Sequence, residues 1–317
     1  MINISKFEKA LKRVEKPARY IGMEKNSIKK NLDDVKVKFA FAFPDIYDVG
    51  MSHLGLHILY NLLNNEEDIA CERVFAPWID MEEQMIKEEI PLFTLENKEP
   101  IKNFDFVGFT LQYEMSYTNI INMLHLADIP ILSKDRKDSD PLVIAGGPCA
   151  YNPEPIADIF DFFVLGEGEE IVLEILNIYK EHKERGFSKL DFLKEISQIE
   201  GIYVPQFYEV YYKEDNTIDR MVPIVEGVPK TVNKRIIKNL NKTYYPEKLI
   251  IPFIEIVHDR IPLEIFRGCT RGCRFCQAGM IYRPVREKDI ETLLNLAEKL
   301  VESTGYENIS LTSLSSC

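Results

Sequence analysis

Between residues 35 and 185 short apolar runs alternate with helical periods, and no other feature of the chain restricts its fold so strongly. The runs are VKVKFAFAF (35–43), a shorter one at 73–75, DFVGFTL (105–111), PLVIAGG (141–147) and DFFVLG (161–166). Stretches with apolar residues at helical spacing occupy 51–63, 78–88, 117–127 and 169–183. Runs this short and this apolar, interleaved with helices, are strands buried on both faces of a parallel sheet. The expected fold is therefore α/β, with an N-terminal doubly wound parallel sheet over residues 35–185. Ligands of such sheets gather at the carboxyl ends of the strands. Gly146 and Gly147 follow one strand, and Gly166 and Gly168 another, which makes them candidate cofactor-binding positions; tight strand-to-helix turns are the plainer alternative. Glu167, Glu169 and Glu170 would repel a phosphate but suit a helix N-terminus, which argues against a dinucleotide.

The flanks read differently. Residues 1–34 form a polar, helical lead-in with Ser5 as N-cap, and its thin apolar content predicts an appendage. Residues 186–260 read as a linker subdomain, with one helix at 189–199 and two short strands around the turn residues Glu214, Asp215 and Asn216. From residue 261 a new βα unit begins: PLEIF as a strand, a cysteine-rich loop, a helix over 289–303 stopped by Gly305, and NISLTSL as the next strand. Two strands and a helix cannot close a core, so residues 261–317 are expected to be the start of a barrel that is incomplete in this chain. The most apolar stretch, 249–257, is interrupted by Pro252 and Glu255 and is far short of the roughly 18–20 residues of a membrane helix. With no signal-peptide pattern at the start, a cytoplasmic location without membrane contact is the expectation. Net charge is 39 − 51 = −12, against general attraction to nucleic-acid phosphates.

Three of the six cysteines, Cys269, Cys273 and Cys276, fall within eight consecutive residues of RGCTRGCRFCQAG (267–279); the others are Cys71, Cys149 and Cys317. Thiolates so close in sequence can face one point, and sulfur suits both iron–sulfur clusters and zinc. A cubic cluster held by three cysteines keeps one iron open for a substrate or cofactor. Gly268 and Gly272, each just before a cysteine, let the loop wrap a metal centre. The alternative is a non-catalytic adaptor whose loop holds structural zinc, completed by His258 or Cys317. His258, Asp259 and Arg260 have residue types suited to acid–base or substrate-binding roles, with an ion-paired junction as the blander account.

The Cys-x3-Cys-x2-Cys spacing, with Phe275 before the third cysteine and on the loop after the first strand of a βα series, resembles the signature of the radical S-adenosylmethionine (SAM) superfamily. That resemblance implies a 4Fe-4S cluster on Cys269, Cys273 and Cys276, SAM chelated by the open iron with Phe275 near the adenine, and a 5′-deoxyadenosyl radical as the product of SAM cleavage. Where the family commonly carries a Gly-Gly-Glu-like motif, this chain has Thr312, Ser313, Leu314, Ser315, Ser316 and Cys317, whose hydroxyls could serve the same purpose. Segments 17–26, 41–63, 144–158 and 164–170 are similar to an uncharacterised bacterial subfamily with an N-terminal cobalamin-binding-like domain. Cobalamin is thereby a third candidate cofactor, and His53 a candidate lower ligand, although it lacks the Asp-x-His-x-x-Gly setting. A radical SAM enzyme also implies a reductant such as flavodoxin or ferredoxin as partner; the substrate is not specified by these residues.

Overall fold

Successive residues of the first strand, β1 (Val37–Phe43), place phenylalanine on one side of a sheet and alanine on the other. Phe39, Phe41 and Phe43 fill the space under one helical layer, while Ala40 and Ala42 let the opposite layer approach closely. The computed structural model describes residues 1–315. Helices α1 (Ile4–Leu11) and α2 (Ala18–Ile21) precede β1. Then follow α3 (Tyr47–Gly50), α4 (Leu54–Asn65), β2 (Ile69–Phe75), α5 (Ile79–Glu88), β3 (Phe106–Thr110), α6 (Tyr117–Leu126), β4 (Leu142–Gly146), β5 (Phe162–Val164), α7 (Gly168–Arg185), α8 (Lys189–Ile196) and β6 (Ile202–Tyr203). The sheet order is β2-β1-β3-β4-β5-β6, parallel throughout except for β6, which runs antiparallel to β5. The fold is thus mixed α/β with a parallel-rich sheet. Its order reverses between β1 and β3, the place where open α/β sheets leave a crevice.

Two expectations about the early chain are corrected. The cap of α1 is Asn3, whose side chain accepts from the Lys6 amide at 3.1 Å, and not Ser5, which lies inside the helix. Nor is this segment an appendage: Phe7 and Ala10 are buried, with Phe7 edge-on to Phe93 at 5.1 Å. Two well-placed apolar residues suffice to dock a two-turn helix. β2 is also longer than the run at 73–75, because Ile69, Ala70, Cys71 and Glu72 are buried strand residues as well. Arg73 donates to Glu24 at 2.8 Å and to Glu96 at 2.7 Å, and Tyr47 donates to Glu24 at 2.8 Å, so the lead-in is tied to the sheet by a buried charge cluster.

The remaining elements are a solvent-facing hairpin of β7 (Tyr208–Tyr212) and β8 (Ile218–Pro223), then β9 (Ile261–Glu264), β10 (Phe266–Arg267), α9 (Ala278–Ile281), β11 (Arg286–Glu287), α10 (Ile290–Thr304) and β12 (Ile309–Thr312). β9 and β12 pair in parallel, with α10 as their crossover. Asp289 caps α10 by accepting from the Thr292 amide, and Gly305 ends it in the left-handed region at φ +75°. Ile58 of α4 packs with Leu249, Ile261, Leu263 and Leu300, joining this unit to the main sheet. No helix among the described residues is long and apolar enough to cross a membrane.

Candidate functional site

β10 runs straight into the cysteine loop through Gly268. Its φ is +97°, and a β-carbon there would sit 2.5 Å from the Pro284 carbonyl oxygen, so the turn tolerates only glycine. A second turn closes where the Cys276 amide donates to the Cys273 carbonyl at 3.1 Å. All three thiols are free; Cys273 and Cys276 are exposed and Cys269 is half-buried. Cys71 and Cys149 are free but buried, and burial pushes the Cys149 thiol up to about 11, which makes it a poor ligand. The donor chemistry of the loop fits a sulfur-held cluster: three accessible thiols, without a disulfide, on a turn-rich segment. Among the described residues no three His, Cys, Asp or Glu side chains are gathered for a metal ion, these thiols included. Ser316 and Cys317 lie outside the described residues. His258 is engaged through its amide by Ser52 and through Nδ1 by Arg260 at 3.4 Å, and Asp259 accepts from the Tyr306 hydroxyl. Phe275 is 94% exposed.

The base of the loop is held by ion pairs that span the two parts of the chain. Arg267 contacts Glu264 at 2.8 Å, Glu169 at 2.5 Å and Glu167 at 3.4 Å; Arg286 meets Glu167 at 2.5 Å, and Lys288 meets Glu264 at 2.7 Å. Burial opposes the charge on Arg267, but Glu169 and Glu264 outweigh it and hold the guanidinium above its ordinary range. Burial likewise pushes Glu264 up, while Arg267 and Lys288 overcome it and keep the carboxyl below its usual value. The sequence reading gave Glu167 and Glu169 to a helix N-terminus and missed this network. A signal was available: Arg267, Arg271, Arg274, Arg283, Arg286 and Lys288 crowd one segment of a chain whose net charge is −12.

The four candidate glycines sit together at the carboxyl edge of the main sheet, but in two different ways. At Gly147 and Gly166, φ is +105° and +112°, and a β-carbon would strike the Leu111 carbonyl at 2.7 Å or the Arg235 carbonyl at 2.1 Å. These two let strand-end loops approach one another. Gly146 and Gly168 are not so constrained: a β-carbon would lie 3.6 Å from the Val164 carbonyl at the first and 3.4 Å from Leu59 at the second.

All of these meet a cavity of about 410 Å³, bounded by the carboxyl ends of β3, β4 and β5 on one side and of β9, β10 and β12 on the other. Gly146, Gly147, Gly166, Gly168, Gly268, Thr312 and Ser313 line it, together with the charged Arg267, Glu167, Glu169 and Glu264. His53 also lines it, as N-cap of α4, with Nδ1 accepting from the Leu56 amide at 3.2 Å. His53 is half-buried as a residue, and burial pushes its pKa down to about 4, a Gln112 hydrogen bond working the other way. His57, fully inside, is pushed down by burial to about 4 as well, and its Nε2 faces the Met51 carbonyl at 2.9 Å. Both imidazoles are neutral at pH 7.

Comparison with known proteins adds two matches and a relative. A family model described as radical SAM proteins, N-terminal, matches residues 55–205, and one described as the radical SAM superfamily matches residues 263–315. An uncharacterized protein of the archaeon Methanocaldococcus jannaschii is 29% identical over 286 residues, which is 86% of this chain and 48% of the relative. The chain thus spans about half the length of that curated relative.

Proposed function

We propose that this chain, which carries domains of the radical SAM superfamily, works as a radical SAM iron–sulfur enzyme. The observation that carries the reading is the set of three free thiols on the loop after β10, inside the segment matched by the superfamily model. Cys269, Cys273 and Cys276 would hold the 4Fe-4S cluster, which when present supplies the electron that cleaves SAM to a 5′-deoxyadenosyl radical. The chain's own residues set the surroundings. Arg267, clamped by Glu264 and Glu169, fixes the direction in which the loop leaves the strand. Thr312 and Ser313, at the end of the neighbouring strand, offer hydroxyls where an amino group of SAM could be received. Phe275 presents a free ring face for the adenine.

An N-terminal cobalamin-binding-like domain is the finer form of this reading, supported by the reversal of strand order and the open carboxyl edge. His53 does not fit as its lower ligand: Nδ1 is engaged as a helix cap, which leaves the ring proton on Nε2. A barrel begun by β9, α10 and β12, a one-electron reductant of the flavodoxin or ferredoxin kind, and a cytoplasmic setting belong to the same proposal. Anaerobic reconstitution tests it. The protein should take up about four irons per chain, and Cys273→Ala should abolish that uptake. Stoichiometric zinc without iron would sink the proposal in favour of the zinc-binding adaptor.

A further inference from the structure

The cavity between the two sets of strand ends is larger than packing requires, and its chemistry is narrow. Its inner wall is hydrocarbon: Phe41, Ile58, Leu59, Ile144 and Val172. The cavity measures about 410 Å³, and the sequence declines two chances to narrow it. Gly146 and Gly168 stand where the backbone has no positive φ and where a side chain would meet only ordinary contacts. The volume lies within the range of small-molecule sites, which are likewise mostly apolar with a few placed polar groups.

The charged residues of the lining indicate what charge the occupant carries. Glu167, Glu169 and Glu264 are matched by Arg267, Arg286 and Lys288, so the ionic groups there already satisfy one another. The other polar groups of the lining are neutral: His53, Thr110 and Gln112, the last donating to the Thr110 hydroxyl at 2.6 Å and accepting from the His53 ring, which leaves the Thr110 hydroxyl proton and the second amide hydrogen of Gln112 to meet a ligand. A charged molecule entering this space would lose its hydration without gaining a free counter-charge.

We propose that the part of this cavity walled by Phe41, Ile58 and Ile144, apart from the Thr312 and Ser313 hydroxyls offered to SAM, binds a neutral, predominantly apolar molecule or moiety whose one or two polar atoms meet Gln112 and Thr110. The cavity also touches Gly268, next to Cys269, so the occupant belongs to the substrate side of the chemistry; that role alone rests on the radical SAM reading, and the binding does not.

The test uses the full chain without reconstitution and N-phenyl-1-naphthylamine, a neutral apolar fluorophore that brightens on leaving water. The expected result is saturable binding of one probe per chain. Gly146→Val and Gly168→Leu should each weaken it by about tenfold or more while circular dichroism and thermal unfolding stay close to the parent. Equal binding by the parent and both folded variants would overturn the proposal, as would the absence of probe binding. Saturating hydroxocobalamin should leave the probe in place, and so should saturating SAM once the cluster has been reconstituted; displacement by either would assign the whole cavity to that cofactor and overturn it too. Iron uptake by the same preparation separates the two claims. Probe binding without iron uptake sustains the chamber and removes the radical chemistry, and iron uptake without probe binding does the reverse.

Discussion

Replacing Arg267 by methionine leaves three carboxylates at the loop base facing two cations. Glu264 retains Lys288 and Glu167 retains Arg286, so the carboxylate stranded by the change is Glu169, which is 8% exposed. Removing one partner of a buried pair costs about 3–5 kcal/mol, and because two of the three acids keep a cation the low end, about 3 kcal/mol, is expected. Thermal unfolding followed by circular dichroism measures it. Arg267→Met/Glu169→Gln should be less destabilised than the sum of the single variants by about 1–3 kcal/mol, since the second change removes the stranded charge. The pH dependence has a definite sign. In the parent, Arg267 and Lys288 overcome burial and hold Glu264 low, which contributes stability above the unfolded carboxylate pKa and loses it as pH falls through the folded value. In Arg267→Met that contribution is smaller, so the gap between variant and parent should narrow as pH falls below the unfolded carboxylate value of about 4.3. A loss below about 1 kcal/mol at pH 7, together with additive single variants, would show that the network is no more than a surface salt bridge.

Other outcomes follow from the same structure. His53 and His57 are neutral in the native state and pushed by burial to about 4, below the unfolded value of about 6.5. The unfolded chain therefore binds more protons in that window, and thermal stability should fall as pH drops from about 6.5 to about 5; His57→Gln should flatten the decline. Phe275→Ala should leave the melting temperature unchanged, the ring being 94% exposed, while weakening SAM binding more than iron uptake; equal loss of both would make Phe275 a support of the loop. If hydroxocobalamin binds the full chain, its visible spectrum should show no imidazole on cobalt, and His53→Ala should change affinity by less than about threefold; imidazole ligation lost in that variant would reverse the assignment of Nδ1 to the helix cap.

Strands β1, β3, β4 and β5 were legible because their apolar runs are continuous and short, which only a strand buried on both faces satisfies. β2 was half hidden, since the charged Glu72 interrupts its apolar run, and burial of the neighbouring Arg73 depends on Glu24 and Glu96, which are distant in sequence. The N-cap of α1 was misplaced by two residues because Asn3 and Ser5 are both good caps, and the choice depends on where Phe7 docks. At the site, cysteine spacing is a local property and could be read directly. The pairing of Glu169 with Arg267 joins positions 98 apart, and composition cannot assign partners over that distance. The cavity was harder still. Gly146 and Gly168 look the same in sequence as Gly147 and Gly166, and only the neighbouring atoms separate glycines the backbone needs from glycines it does not.

Helix α4 serves two masters. Leu56, Tyr60 and Leu63 pack it onto the main sheet, while Ile58 packs with Ile261, Leu263 and Leu300 from the cysteine-bearing unit. The two parts are consequently not interchangeable modules. Grafting the first 260 residues onto an unrelated partner would carry along a helix with a bared flank, and substituting Ile58 would trouble a core built mainly from residues some 200 positions later. Recombination between such chains would have to keep both sides of α4 together.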